Sequence, residues 1–247
     1  MGKMLTNQRR GKGSPTFRTP SHRFYGKVSY PPLAAKARAQ VRGFELDPAH
    51  STPLARLQME DGKELLLPAA EGLAVNDEIE MGYEAGNSLG SVSSLGSLPD
   101  GTPIFNLELR PRDGGKALRS TGSSGILISH DEDTGMVTIK MGTASKRVLV
   151  LSPECLATVG VAAGGGRKEK PFKKAGNKFY AMQARNKYYP IVRGTAMNAY
   201  DHPHGGKSFG KPTTVARGTP PGGKVGHVAA RQTGRKKRRE RAEGEQQ

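Results

Sequence analysis

The sequence lacks most of what a disulfide-stapled, membrane-spanning or large-core protein requires. One cysteine, Cys155, stands among 247 residues, so no internal disulfide can form and a reducing compartment fits. Tryptophan is absent, and aromatic residues make up 6% and hydrophobic residues 34% of the chain, which favours small cores. No apolar run approaches the ~20 residues of a membrane span. The opening segment MGKMLTNQRRGKG has no apolar stretch of the secretory kind, so the expectation is a soluble, cytoplasmic protein. Acidic residues are missing before Glu45, where ten Lys and Arg stand. Long stretches of helical period are missing too.

What is present is charge in blocks. Residues 43–160 hold nine basic and seventeen acidic residues, and residues 161–247 hold twenty basic and five acidic, within a net charge of +17. A mildly acidic middle thus lies between two basic arms. Such arms order on a polyanion, because each Lys or Arg laid on a phosphate releases a condensed counterion. With 33 glycines and 17 prolines, the chain is rich in turns.

The middle reads as short strands. QVRGFELD carries Val41, Phe44 and Leu46, and PLARLQM carries Leu54, Leu57 and Met59. Asp61-Gly62 signals a hairpin inside LQMEDGKELLLP. DEIEMGY alternates, and PIFNLELRP offers Ile104, Leu107 and Leu109 as another strand. Short strands with Gly/Asp turns point to a small closed barrel, which leaves no exposed edge. After Asp113, GILISH, MVTIKM, KRVLVLS and CLATVGVAAG repeat the pattern, with Asp133-Thr134-Gly135 as a turn. The expected fold is mainly β: an N-terminal arm over 1–36, a first barrel over 37–112, a second with a basic helical segment over 113–192, and a C-terminal extension over 193–247. Asn177 to Asn186 has modest helical character, and Leu33 to Gln40 reads as the start of a short helix, with the residues after it reading better as strand.

In the first arm, Phe17, Phe24, Tyr25 and Tyr30 lie among basic residues. Either the arm is a disordered tail, or it orders on RNA with its aromatics on riboses or bases. The Arg235–Arg241 run reads equally as an RNA contact, a localisation signal or a solvated tail.

Chemistry concentrates in VRGTAMNAYDHPHGGKSFGK. Gly205-Gly206-Lys207-Ser208 resembles the end of a phosphate loop, but Asp201 stands where that loop needs glycine and no strand precedes it. His202, His204 and His227 have no metal-ligand spacing, so no metal or cofactor is expected. Cys155 sits in an apolar strand, as an inert buried thiol does. Asp201 and His202 are adjacent, a poor geometry for one to orient the other, so general-base catalysis is not the expected role. Met197 and Tyr200 are suited to ribose or base faces, and the Gly-rich turns let backbone approach phosphate. A stand-alone nucleic-acid chaperone is a further reading of the tails alone.

Arg193, Gly194, Met197, Asn198, Asp201, His202, Pro203, His204, Gly205 and Gly206 match the R-G-x-x-M-N-x-x-D-H-P-H-G-G-G motif of the universal large-subunit ribosomal protein L-two family, which the chain therefore resembles. Lys207 departs from it where a third glycine is usual. RRGKGSPTFRTPSHR resembles the family's N-terminal arm, AEGLAVNDEI its first barrel, and GVAAGGGRKEKPFKKAGNK its archaeal and eukaryotic branch. The resemblance implies an OB-like barrel, then an SH3-like barrel, and extensions threaded into large-subunit rRNA near the peptidyl transferase centre. It implies a primary rRNA binder supporting subunit association, tRNA binding and peptide bond formation. Small-subunit rRNA across an inter-subunit bridge, neighbouring ribosomal proteins and nearby tRNA are the implied partners. His202 matches a histidine once proposed to act in peptidyl transfer; since RNA is the catalyst, its implied role is to organise.

The candidate RNA contacts are Arg9, Arg10, Lys12, Arg18, His22 and Arg23 in the first arm, then Arg119, Arg167, Lys174, Asn177, Lys178 and Arg185. Around the signature they are Arg193, Gly194, Met197, Asn198, Asp201, His202, His204, Gly205, Gly206, Lys207, Lys211, Arg217 and Lys224.

Overall fold

The computed structural model describes residues 2–31, 36–142, 147–206 and 214–230. The chain divides into two units, Thr19–Lys178 and the pair Met1–Arg18 with Phe179–Gln247.

The Thr19–Lys178 unit is mainly β. Its strands are β1 (Ala37–Glu45), β2 (Leu54–Met59), β3 (Glu64–Pro68), β4 (Glu78–Met81), β5 (Val92–Ser94), β6 (Pro103–Phe105), β7 (Gly125–His130), β8 (Val137–Met141), β9 (Val148–Leu151) and β10 (Leu156–Val159). They run in the order β3-β2-β1-β4-β5-β10-β6-β7-β8-β9. Among the described residues of this unit, the ladders are antiparallel except the Met81–Val92 bridge joining β4 to β5. The strands gather round two cores, in the manner of two small barrels in tandem. One core holds Val41, Leu57, Leu67, Ile79, Met81 and Val92. The other holds Leu95, Ile104, Leu107, Leu127, Val137 and Ile139.

Local chemistry explains the register. Between Val41 and Gly43 the β1–β2 pairing shifts by a bulge. One extra residue reverses the alternation of faces, so Val41 and Phe44, three apart in sequence, both lie opposite core-side residues, Leu57 and Ala55. Phe44 stays at the rim, 39% exposed, and Leu46 is 81% exposed, so neither is core. The β2–β3 hairpin turns at Asp61-Gly62, as its sequence predicts. Gly62 has φ 79°, and the Asp61 carboxylate accepts from the Lys63 N–H at 3.1 Å.

Several expectations change. PIFNLELRP forms a strand only over Pro103–Phe105. Asn106 has φ 48°, which ends the extended run, and Leu109 turns out to solvent. Leu95, Leu98, Ile104 and Leu107 lie within the stretch drawn as the first barrel, 37–112, yet they pack in the second core. Ile104 pairs with Val159 of β10 and Gly125 of β7, and Leu107 bridges to Ala117, so tertiary pairing places these two there. Tyr30 is no nucleic-acid-facing aromatic. It is buried in the first core, and its hydroxyl donates to the Asn106 carbonyl at 2.6 Å and lies 2.7 Å from Thr158 Oγ1. The region 1–36 is therefore split: Met1–Arg18 belongs to the other unit, and Val28 and Tyr30 are buried in this one. The helical segment is α2, Ala175–Ala184.

Candidate nucleic-acid interface

The signature residues fold on themselves. Gly194–Ala196 make one 3-10 turn. Asn198 O then accepts from the N–H groups of Asp201 and His202, at 3.0 and 3.2 Å, and Gly206 N–H closes back on Met197 O at 3.0 Å. The glycines are required by space. A Cβ on Gly194 would overlap the His202 ring, and one on Gly205 would overlap the Asn198 carbonyl. Gly206, at φ 96°, adopts a conformation that side chains resist.

Asp201 and His202 do not form a dyad. Asp201 Oδ1 pairs with Lys3 Nζ at 2.8 Å, and the pairing raises the Lys3 ammonium above its usual value. Lys3 also lies 5.5 Å from the Tyr200 ring centroid, within cation–π range. His202 Nδ1 accepts from the His204 N–H at 3.0 Å, which places any ring proton of the neutral form on Nε2. Burial, and secondarily His204, lowers the His202 pKa. The two imidazole rings are 5.0 Å apart, and His204 Nε2 is buried without a hydrogen-bond partner.

The first arm reaches the same unit through α1, Thr6–Arg10, whose Gln8 side chain caps the Leu5 N–H at 3.0 Å. Arg9, Arg10, Lys12 and Arg18 are exposed. The Asn186 amide donates to the carbonyls of Pro15 and Arg18, both at 2.6 Å, and Phe17 packs 6.5 Å from Tyr188. Arg193, Asn198, Arg217 and Lys224 are exposed; Gly194, Met197 and Arg185 are half-buried. Lys207 and Lys211 lie outside the described residues, as does the Arg235–Arg241 run.

The remaining candidates belong to the β unit. His22, Arg23, Arg167, Lys174 and Asn177 are exposed and Lys178 is half-buried. Arg119 is largely committed to protein: it donates to Gly115 O at 3.0 Å and to Val28 O at 3.2 Å. Sequence reasoning missed Lys3 and Asn186. Both act on partners remote in the chain, and no local pattern marks them. Among the described residues, no group of three His, Cys, Asp or Glu side chains is placed to hold a metal, and no helix is long and apolar enough to cross a membrane.

A small β unit joined to cationic segments that, among the described residues, hold little regular structure is a build found among ribosomal proteins. A family model described as Ribosomal Proteins L2, C-terminal domain, matches residues 88–227. The curated large ribosomal subunit protein uL2 of Methanothermobacter thermautotrophicus is 47% identical over 245 residues, covering 96% of this chain and all of that protein. The uL2 of Methanopyrus kandleri is 47% identical over 97% of the chain, and that of Natronomonas pharaonis 46% over 95%. The chain belongs to the uL2 family of large-subunit ribosomal proteins, and these relatives are archaeal.

Proposed function

We propose that this protein is a non-catalytic structural constituent of the large ribosomal subunit in the cytoplasm, binding its rRNA directly through the arms and the Asp-His-Pro-His loop. Its place is near the peptidyl transferase centre, where it supports subunit association, tRNA binding and peptide bond formation. Small-subunit rRNA across a bridge, neighbouring ribosomal proteins and tRNA are its further partners. Its parts are an arm over 1–36, barrels over 37–112 and 113–192 and an extension over 193–247, with Leu95, Leu98, Ile104 and Leu107 lending their side chains to the second core.

One observation carries the RNA reading. Residues 1–18 and 179–230 hold twelve Lys and Arg and a single acid, Asp201, and that acid is neutralised by Lys3. The surface left to solvent is cationic, without an internal carboxylate to compete with phosphate. The non-catalytic reading is supported by geometry: the carboxylate next to His202 is engaged by Lys3 rather than orienting the imidazole.

The test is salt dependence of large-subunit rRNA binding by the full chain. Changing Arg9, Arg10 and Lys12 to Gln should lower the slope of log affinity against log salt by about 2 to 3, the share of three phosphate contacts. An unchanged slope and affinity would overturn the assignment of these side chains.

A further inference from the structure

The second barrel leaves one side of a strand open. β9 ends the strand order, and among the described residues it pairs with β8 alone. Met141 N–H donates to Arg147 O at 2.9 Å, which sets the phase of that ladder. Bonded and non-bonded pairs alternate along an antiparallel ladder. Counting on through the register, Ile139–Leu149 and Val137–Leu151 are bonded pairs, while Lys140–Val148 and Thr138–Val150 are not. The N–H and C=O groups of Val148 and Val150 therefore point away from β8, along the open edge.

The same two residues carry apolar side chains into solvent. Leu151 packs against the second core. Val148 and Val150 alternate with Leu149 and Leu151, so they lie on the opposite face, 52% and 58% exposed. Natural edge strands refuse partners by a charge, a proline or a bulge within the strand. The Val-Leu-Val-Leu run of β9 has none of these, and its register with β8 is unbroken. Charge stands only beyond its ends. Lys140 and Arg147 are exposed at one end, and Asp131, Glu132 and Asp133, in the turn before β8, are exposed at the Leu151 end.

We propose that the β9 edge receives an extended segment of a neighbouring large-subunit protein as an added strand. The main chain of that segment pairs with Val148 and Val150, and its apolar residues lie beside theirs on the outer face. It places a carboxylate at the Lys140–Arg147 end and a basic residue at the acidic end. In strand addition, main-chain hydrogen bonds supply affinity and alternate side chains supply specificity. RNA has no aliphatic counterpart for the two valines and no ladder of matching spacing. A second copy of this chain would match the charged ends, but it would bring together two chains of net charge +17, which repel. The inference rests on the ribosomal reading and adds to it a defined protein contact.

The experiment reconstitutes large subunits with the full chain and compares hydrogen exchange in the free and assembled states. In the free chain, the Val148 and Val150 amides should exchange quickly while those of Leu149 and Leu151 are protected. In the subunit all four should be protected. A benzoylphenylalanine replacing Val148 should crosslink to a protein other than this chain, identified by mass spectrometry. In that background, Val150→Pro removes only an outward donor, at a place where edge strands accept proline. It should lower the crosslink about fivefold, the share of one main-chain hydrogen bond. Val150→Lys, a change at an exposed side chain, should lower it as well by charging the edge. A crosslink to RNA or to a second copy would overturn the proposal and leave the ribosomal reading standing. So would rapid exchange of Val148 and Val150 in the subunit, or folded variants that crosslink as well as their parent. A chain that fails to enter the subunit would sink both.

Discussion

Tyr30 and Cys155 show how far a residue's neighbours in space override its neighbours in sequence. Tyr30 is surrounded in sequence by basic arm residues, yet burial pushes its phenol well above the ordinary tyrosine range. Its hydroxyl serves two protein partners instead of RNA. Cys155 is fully buried, and burial, with a smaller contribution from Glu108, pushes its thiol up to about 11. The thiolate is the reactive form, so native protein should resist iodoacetamide at pH 8 and label fully once unfolded, as read by mass spectrometry. Fast labelling of the folded chain would contradict the burial. Because the folded thiol titrates above its usual 9.0, its contribution to stability is complete below that pH and is lost as pH rises towards about 11. Glu108 illustrates the same point for a carboxylate. It is buried with no cation partner among the described residues, and its oxygens accept from the N–H groups of Gly114, Leu156 and Arg112 at 2.8, 3.0 and 3.2 Å.

At the scale of elements, the Asp-His-Pro-His loop is a turn system held by backbone hydrogen bonds and by one imidazole acceptor. Protonating His202 at Nδ1 removes the acceptor for the His204 N–H. The folded pKa of His202 lies below 6.5, so the unfolded loop binds protons more readily between the two values. The contribution of this histidine is therefore present above pH 6.5 and lost as pH falls through its folded pKa. An NMR titration should show the His202 ring shifting below pH 6.5, with the His204 amide moving in step. A His202 titration at or above 6.5 would contradict its burial, and a stationary His204 amide would contradict that hydrogen bond. The strand elements behave more predictably. The hairpin at Asp61-Gly62 and the turn joining β7 to β8 follow turn chemistry visible in the sequence, although β7 shifts its register between Leu127 and Ser129. The β1 bulge does not, because nothing local distinguishes Arg42 as the residue left over.

At the scale of the molecule, β10 ties the two cores together. Leu156 faces the first core, while Cys155, Ala157 and Val159 face the second. The strand also pairs with β5 on one side and β6 on the other. Two cores sharing a strand should lose structure together. Leu57→Ala in the first core and Ile139→Ala in the second should each destabilise by about 2–5 kcal/mol. Hydrogen exchange should show both mutations lowering protection in β2 and in β8 alike. Loss confined to the mutated core would show that the barrels unfold independently. The arms obey a different balance: they have little apolar surface to bury, and their charge favours order on a polyanion.

The sequence by itself determined the class of fold, the strand-rich middle, the cationic ends and the family signature. Those properties reside in composition, two-residue alternation, turn residues and a contiguous motif, all of them local. Tertiary structure alone decided that Leu95 and Ile104 belong to the second core, that Tyr30 is a core residue and Arg119 a clamp on protein carbonyls, and that Lys3 rather than His202 engages Asp201. Each of these depends on which distant groups the folded backbone brings within hydrogen-bonding or packing distance. Such proximity is a property of the assembled chain, and no short window of sequence contains it.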